Sequence, residues 1–257
     1  MINNKKIFAF DLDGTLAESK QSVDLEMVNL LGLLAEKGLV VVISGGSFDQ
    51  FKKQFLPFLE NDNCKINIFK NLILLPTSGS QCYRYDEIKD DWFLVYKEKM
   101  SEDLRKKIIM TVNKLISSKI INLIPFIPGD NIIEDRITQI SISALGQSAP
   151  LEIKRDWDTN QEKRKILKEI IEKELPDVSV NIGGNTTLDI LPKGFNKAVG
   201  LNRVLDFYGL KKEELVFAGD AIFPGGNDYS VLEAGFESIK VSGVGETKKI
   251  IKEWLQK

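Results

Sequence analysis

Phe8 to Ser19 reads FAFDLDGTLAES, an apolar run that closes on two aspartates, Asp11 and Asp13, set two positions apart before Gly14 and Thr15. Lys6 to Phe10 has the composition of a buried strand. Side chains two apart on a strand point the same way, so the two carboxylates converge where the strand leaves its sheet. Taken alone, the pattern is either a surface turn with a helix cap or the start of a site. The residues that follow decide the fold. Val23 to Lys37 is amphipathic, with Leu25, Val28, Leu31 and Leu34 near one face, Ser22 as its N-cap and Gly38 just past its end. Leu39 to Ile43 is a second unbroken apolar run, closed by Ser44-Gly45-Gly46. Strand, helix and strand, with strands apolar on both faces, predict a parallel sheet covered by helices. In such sheets active sites lie at the carboxyl ends of the strands.

Leu72 to Leu75 adds a strand ended by Thr77-Ser78-Gly79, after which the pattern changes. Trp92 to Tyr96 reads as a strand, Glu102 to Ser117 as a helix, Arg136 to Ser143 as an alternating strand, and Gln161 to Glu174 as a helix. Short strands follow at Val178 to Ile182 and Thr187 to Leu191. The alternation in Arg136 to Ser143 puts Ile137, Gln139, Ser141 and Ser143 on one face, which suits an antiparallel sheet with a polar side. Lys197 to Tyr208 resumes a helix, Leu215 to Ala218 and Ser238 to Val241 are strands, and Glu246 to Leu255 is a last helix. The reading is an α/β protein: a Rossmann-like parallel-sheet core from residues 1–85 and 191–257, with residues 86–190 inserted as an α+β cap domain.

Composition narrows the chemistry. With 257 residues, 35 basic and 37 acidic side chains and a net charge of -2, neither nucleic acid nor an anionic membrane surface is an expected partner. Two cysteines, Cys64 and Cys82, are too few for a disulfide framework, which suits reduced thiols and a cytoplasmic setting. No window has the length and apolarity of a membrane span or signal segment. The absence of histidine removes His-based zinc sites and the Ser-His-Asp triad. Any catalysis therefore runs on carboxylates, lysine, hydroxyls and backbone amides.

A second acidic strand end supports the first. FAGDAIFPGGNDYSVLEAG, Phe217 to Gly235, places Asp220 directly after an apolar strand, and Asn227-Asp228 after a proline and two glycines. Carboxylates gathered at separate strand ends repel one another unless a cation sits among them. Oxygen donors of this kind favour a hard ion such as magnesium.

DLDGT at Asp11 to Thr15 resembles the nucleophile motif of the haloacid dehalogenase-like hydrolase superfamily, and GDAIFPGGND at Gly219 to Asp228 is similar to its acidic motif in the eukaryotic-type phosphomannomutase branch. Ser44 matches the second motif, and Lys197, in GFNKAVG, the lysine of the third. The resemblance spans nearly the whole chain and implies a type IIB cap between the second and third motifs. It also implies roles. Asp11 would be the nucleophile that becomes an aspartyl phosphate, and Asp13 the acid and base for the leaving and incoming oxygens. Ser44, Lys197 and backbone amides near Gly14 and Gly45 would hold phosphoryl oxygens. Magnesium would be held by Asp11, the Asp13 carbonyl and Asp220, with Asn227 or Asp228 in support.

In the middle region, IIEDRITQISISALGQSAP, Ile132 to Pro150, is similar to the phosphomannomutase cap segment, with matches at Glu134, Arg136, Ser143 and Gly146. Arg136 stands where that branch binds the phosphate farther from the nucleophile. A second arginine is expected directly after the glycine, where this chain has Gln147. A neutral amide is a weaker phosphate anchor than a guanidinium. Thr187 and Asp189 fall where the branch places a hydroxyl and an aspartate for sugar hydroxyls, and Asn196 replaces the usual aspartate beside the lysine.

The resulting expectation is a magnesium-dependent phosphatase or phosphotransferase acting on small sugar phosphates. The alternatives are a phosphomannomutase interconverting hexose 1- and 6-phosphates, and a noncatalytic sugar-phosphate-binding protein. The resemblance also implies that the cap can mediate a homodimer.

Overall fold

The computed structural model describes residues 4–59 and 65–256. Cys64 lies outside the described residues, and Cys82 is a buried free thiol. The chain divides into two compact units, residues 1–97 with 196–257, and residues 98–195.

The first unit opens with β1 (Ile7–Asp11), α1 (Leu25–Lys37) and β2 (Leu39–Ile43). Short helices α2 (Phe48–Gln54), α3 (Leu56–Leu59) and α4 (Lys65–Lys70) lead to β3 (Leu72–Leu75), β4 (Gln81–Asp86) and β5 (Asp91–Lys97). The second unit holds α5 (Glu102–Ser118), β6 (Ile133–Asp135), β7 (Ile140–Ser143), α6 (Leu151–Trp157), α7 (Glu162–Glu174), β8 (Val178–Gly183) and β9 (Thr187–Pro192). The chain then returns to the first unit through α8 (Lys197–Tyr208), β10 (Leu215–Gly219), α9 (Tyr229–Glu233), β11 (Glu237–Lys240) and α10 (Val244–Leu255).

Among the described residues the first unit forms a seven-stranded sheet, β11-β10-β1-β2-β3-β4-β5. The pairs from β11 to β3 are parallel, and β4 and β5 add an antiparallel hairpin. β1 is central and buried along its whole length, which is why its sequence shows no polar alternation. Phe8, Phe10, Val40 and Val42 face α1 and α10, with Trp254 5.5 Å from Phe8 and 5.7 Å from Phe10. Ile7, Ala9, Val41 and Ile43 face α8 and α9. Two apolar faces covered by helices thus hold the carboxyl ends of β1, β2 and β10 in one row, because these strands are parallel and in register.

Three sequence expectations shift. The α1 cap is Asp24, whose carboxylate accepts from Met27 N at 2.9 Å, rather than Ser22. β5 lies on the main sheet, and the units divide at 97/98 and 195/196, whereas the sequence reading places the divisions at 85/86 and 190/191. Residues 136–139 are a turn, with Ile137 at φ 69° and Arg136 N donating to Gln139 O at 2.8 Å. The strand proper is only Ile140–Ser143.

In the second unit, among the described residues, β6-β7-β9-β8 form an antiparallel sheet. Ile140, Ile142, Leu188, Ile190, Val180 and Ile182 pack one face against α5 and α7. Asp158 accepts from the backbone of Lys163 and Arg164 and from the Arg164 guanidinium at 2.9 Å, fixing the start of α7.

Candidate active site

The carboxyl end of β1 delivers Asp11, 3 % exposed, into a cluster with Asp220 and Asp228 from the loop after β10. One oxygen from each carboxylate lies within 4.8 Å of the other two. Lys197, 1 % exposed at the first position of α8, reaches into this group. Its ammonium donates to Asp11 Oδ1 and, at 2.6 Å, to Asp228 Oδ1. A cation at a helix N-terminus opposes the helix dipole. Here the two carboxylates offset that opposition, and Asn196 caps α8 by accepting from Val199 N at 3.2 Å.

Neighbouring backbone fixes the acids. Asp228 Oδ2 accepts from Ala221 N at 3.1 Å, and Asp220 N donates to the buried Thr15 hydroxyl at 3.1 Å. Gly14 has φ +88°, and a Cβ there would fall 2.5 Å from Asp220 Oδ2. Glycine is required at this turn both for the left-handed backbone and for the approach of the carboxylate.

Charge is under-compensated. Burial pushes the Asp11 carboxyl well above its usual range, Asp228 and Asp220 add to the rise, and Lys197 opposes it. Burial likewise pushes Asp220 up to about 6, with repulsion from Asp228 in the same direction. Burial would depress the Lys197 ammonium, but Asp11 and Asp228 outweigh it and hold the value above the ordinary one, so this lysine stays charged. Three acids against one ammonium leave a net negative, oxygen-rich cluster. That donor set fits a hard divalent cation, which would neutralise the excess charge.

Asp13 lies apart from this trio. Its Oδ1 accepts from Lys20 N at 2.6 Å and Gln54 Nε2 at 3.0 Å, and its Oδ2 from Gln50 Nε2 at 3.2 Å. Ser44 is buried after β2, and its hydroxyl accepts from Gly46 N at 3.0 Å, which leaves its own proton for another acceptor. Gly45 continues the same turn. Ser78 N donates to Ser44 O and Thr77 N to Gly46 O, both at 2.8 Å, so the turn after β3 braces the turn after β2. Thr77 and Ser78 take φ of 50° and 56°, a conformation side chains disfavour. Asn227, half-buried, precedes Asp228, and its carbonyl accepts from the Ser230 hydroxyl at 3.4 Å.

The residues expected in the middle region fall in the second unit. Ser141 on β7 pairs with Asp189 on β9, and Ser143 with Thr187. The polar row is buried and bonded internally rather than solvated. Gln139 donates to Ser141 at 2.9 Å, Ser141 donates to Asp189, and Ser143 donates to Gly146 O at 2.7 Å. The Arg136 guanidinium is paired with Glu134 at 2.6 Å. The Gln147 carbonyl accepts from the buried Lys154 ammonium at 2.7 Å.

Sequence reasoning missed Gln50, Gln54 and the Thr15 hydroxyl. The only local signal was the i, i+4 spacing of the two glutamines on α2, directly after the serine-glycine turn.

Among the described residues no helix is long and apolar enough to cross a membrane. A family described as haloacid dehalogenase-like hydrolase matches residues 8–241. The phosphomannomutase of Encephalitozoon cuniculi is 26% identical, with 99% of this chain and 95% of that protein aligned. The phosphomannomutase of Saccharomyces cerevisiae is 27% identical across 86% of this chain and 83% of its own. Among solved structures, IMP-bound Plasmodium falciparum IMP-nucleotidase superposes with a TM-score of 0.70 at 17% identity, covering 98% of this chain and 68% of that one. SMU.1108c from Streptococcus mutans gives 0.64 at 17% identity, covering 98% and 100%. At such identities these structures share the fold.

Proposed function

The chain belongs to the haloacid dehalogenase-like hydrolase family, and from that premise we propose a magnesium-dependent phosphatase of small sugar phosphates that works through an aspartyl phosphate on Asp11. The coarser reading, an enzyme of phosphoryl transfer, is supported by the family match and by the phosphomannomutase relatives. The observation that carries the mechanism is the buried Asp11 carboxylate, bonded through Oδ1 to a lysine that remains a cation.

With Oδ1 engaged by Lys197, Oδ2 of Asp11 is the attacking oxygen. It forms a bond to phosphorus while the bond from phosphorus to the leaving oxygen breaks, and the departing electron pair takes a proton from Asp13. Water then attacks the aspartyl phosphate and gives its proton to Asp13. The bond between phosphorus and Asp11 breaks, and inorganic phosphate and a free carboxylate result. Lys197 and the Ser44 hydroxyl offset charge on the phosphoryl oxygens. Asp11, the Asp13 carbonyl, Asp220, Asn227 and Asp228 would hold magnesium, which when bound lets an anionic nucleophile approach an anionic phosphate. Sugar hydroxyls are assigned to Thr187, the half-buried member of the row, with the buried Ser143 and Asp189 as its internally bonded neighbours on β7 and β9, and a distal phosphate to Arg136 and Gln147.

A second reading, phosphomannomutase, is favoured by relatives named so that match at 24% to 27% identity across 86% to 99% of this chain. Gln147, in place of a guanidinium, favours hydrolysis. Phosphorus NMR of mannose 1-phosphate and glucose 1-phosphate with magnesium, with and without the hexose bisphosphate, separates the two. Inorganic phosphate alone is the expected product, and a 6-phosphate establishes the mutase. No turnover across a panel of sugar phosphates leaves a noncatalytic binder.

A further inference from the structure

We propose that Gln50 is a positioning residue for proton transfer, holding the Asp13 carboxylate both directly and through Gln54. The inference rests on the reading of Asp13 as the group that moves the proton. Gln50 sits on α2 and its Nε2 does two things at once: it donates to Asp13 Oδ2 at 3.2 Å and to Gln54 Oε1 at 2.9 Å. Gln54, 4 % exposed, donates its own Nε2 to Asp13 Oδ1 at 3.0 Å.

The second bond matters because a glutamine amide is nearly symmetric in shape and opposite in chemistry at its two ends. Turned over, Gln54 would set an oxygen against the Asp13 carboxylate. Gln50 prevents this by occupying the Gln54 oxygen, so the NH2 end faces Asp13. The first bond matters because the two oxygens of Asp13 are not equivalent. Oδ1 takes Lys20 N and Gln54, whereas Oδ2 takes the longer bond from Gln50. Oδ2 therefore keeps acceptor capacity for a moving proton, and Gln50 fixes where that oxygen lies.

The backbone makes room for the arrangement. A Cβ on Gly46 would fall 2.6 Å from Gln50 Oε1, so glycine in the turn after β2 lets the amide sit beside it. One glutamine thus ties together the turn that bears Ser44, the helix that follows it and the carboxylate after β1.

The test compares Gln50→Leu and Gln50→Glu with wild type on two esters, a hexose phosphate and p-nitrophenyl phosphate. The nitrophenolate leaves as a stable anion and needs no proton, whereas a sugar alkoxide does. Both variants are expected to lower kcat/KM on the hexose phosphate by about 10- to 100-fold while leaving kcat/KM on p-nitrophenyl phosphate within about threefold, because kcat/KM reports formation of the aspartyl phosphate and not the later attack of water, in which Asp13 takes a proton whichever ester was used. Gln50→Glu keeps the length of the side chain but, ionised, has no donor. Wild-type kcat/KM in Gln50→Glu, or an equal loss of kcat/KM on both esters, would overturn the proposal and leave Gln50 a packing residue. If the wild-type protein turns over neither ester, the reading of the site fails. The clamp is then judged separately by the side-chain NH2 resonances of Gln54 in nitrogen-15 spectra. They are expected to move and exchange faster in both variants, and unchanged resonances overturn the proposal.

Discussion

Lys197 and Asp228 form an ion pair 2.6 Å long in which the side chains are 1 % and 0 % exposed, and the same ammonium also bonds Asp11. A single cation therefore balances two buried acids whose backbones are 186 and 31 residues away from it in sequence. Lys197→Met leaves both carboxylates without their counter-charge. The variant is expected to lose about 3–5 kcal/mol of stability, because an uncompensated buried charge costs more than the pair contributes. Urea unfolding checks this, and a loss below about 1 kcal/mol would show that Lys197 is not the electrostatic keystone of the cluster.

Asp11→Asn keeps the shape and a hydrogen-bond acceptor for Lys197 but removes the nucleophile. Turnover should fall by at least about 10³-fold with circular dichroism unchanged. Transfer of phosphorus-32 to the wild-type protein and not to the variant locates the covalent step. Substantial activity in the variant excludes Asp11 as the attacking group.

The cluster also makes stability depend on pH. Burial raises Asp220 from 3.8 to about 6 and moves Asp11 in the same direction. A folded value above the unfolded one means that the native chain binds more protons between the two. The stabilisation is full below the unfolded value and is lost as pH rises through the folded one. For Asp220 the change amounts to about 3 kcal/mol between acid and neutral pH. The urea midpoint of the metal-free protein is expected to fall from pH 5 to pH 8. Magnesium should raise it far more at pH 8 than at pH 5, because a bound cation requires ionised ligands. A midpoint indifferent to magnesium at pH 8 counts against a divalent ion at this site.

Gly14→Ala strains a turn at φ +88° and drives a methyl group into Asp220 Oδ2. The backbone cost is about 1–2 kcal/mol, and the displaced carboxylate adds a weaker response to magnesium. Thermal melts with and without the ion measure both effects. A response equal to wild type would show that Asp220 can move without loss of the cation.

Gln147→Arg tests the distal anchor. A guanidinium there is expected to tighten a hexose bisphosphate about tenfold while leaving a hexose monophosphate within about twofold. Isothermal titration with both ligands decides the matter. Equal gains for the two would mean only a general rise in positive charge, and no gain would remove the position from the phosphate site.

Much of the architecture is legible in the sequence. The apolar runs at Leu39–Ile43 and Leu72–Leu75 are the strands β2 and β3, and Lys197–Tyr208 is the helix α8. These elements are buried on one face or both, so composition and period alone distinguish them. β4 escaped notice because QCYRYD mixes polar and aromatic residues on a half-exposed strand. Arg136 to Ser143 deceived by continuing to alternate through a turn that Ile137 makes at φ 69°. A hydrophobic pattern records which side chains are buried and carries no signal of a reversal made by one residue in a left-handed conformation.

The sequence by itself determined a helix-covered parallel sheet and the residue types at its strand ends, because both follow from local periodicity and from where charge interrupts an apolar run. Only the tertiary structure decided that Lys197 lies between Asp11 and Asp228, that Asp220 fills the space left by Gly14, and that Gln50 and Gln54 hold Asp13 across 37 and 41 residues of chain. Hydrogen bonds and ion pairs act over a few ångströms, and which side chains come that close is set by the packing of the whole sheet rather than by spacing along the chain.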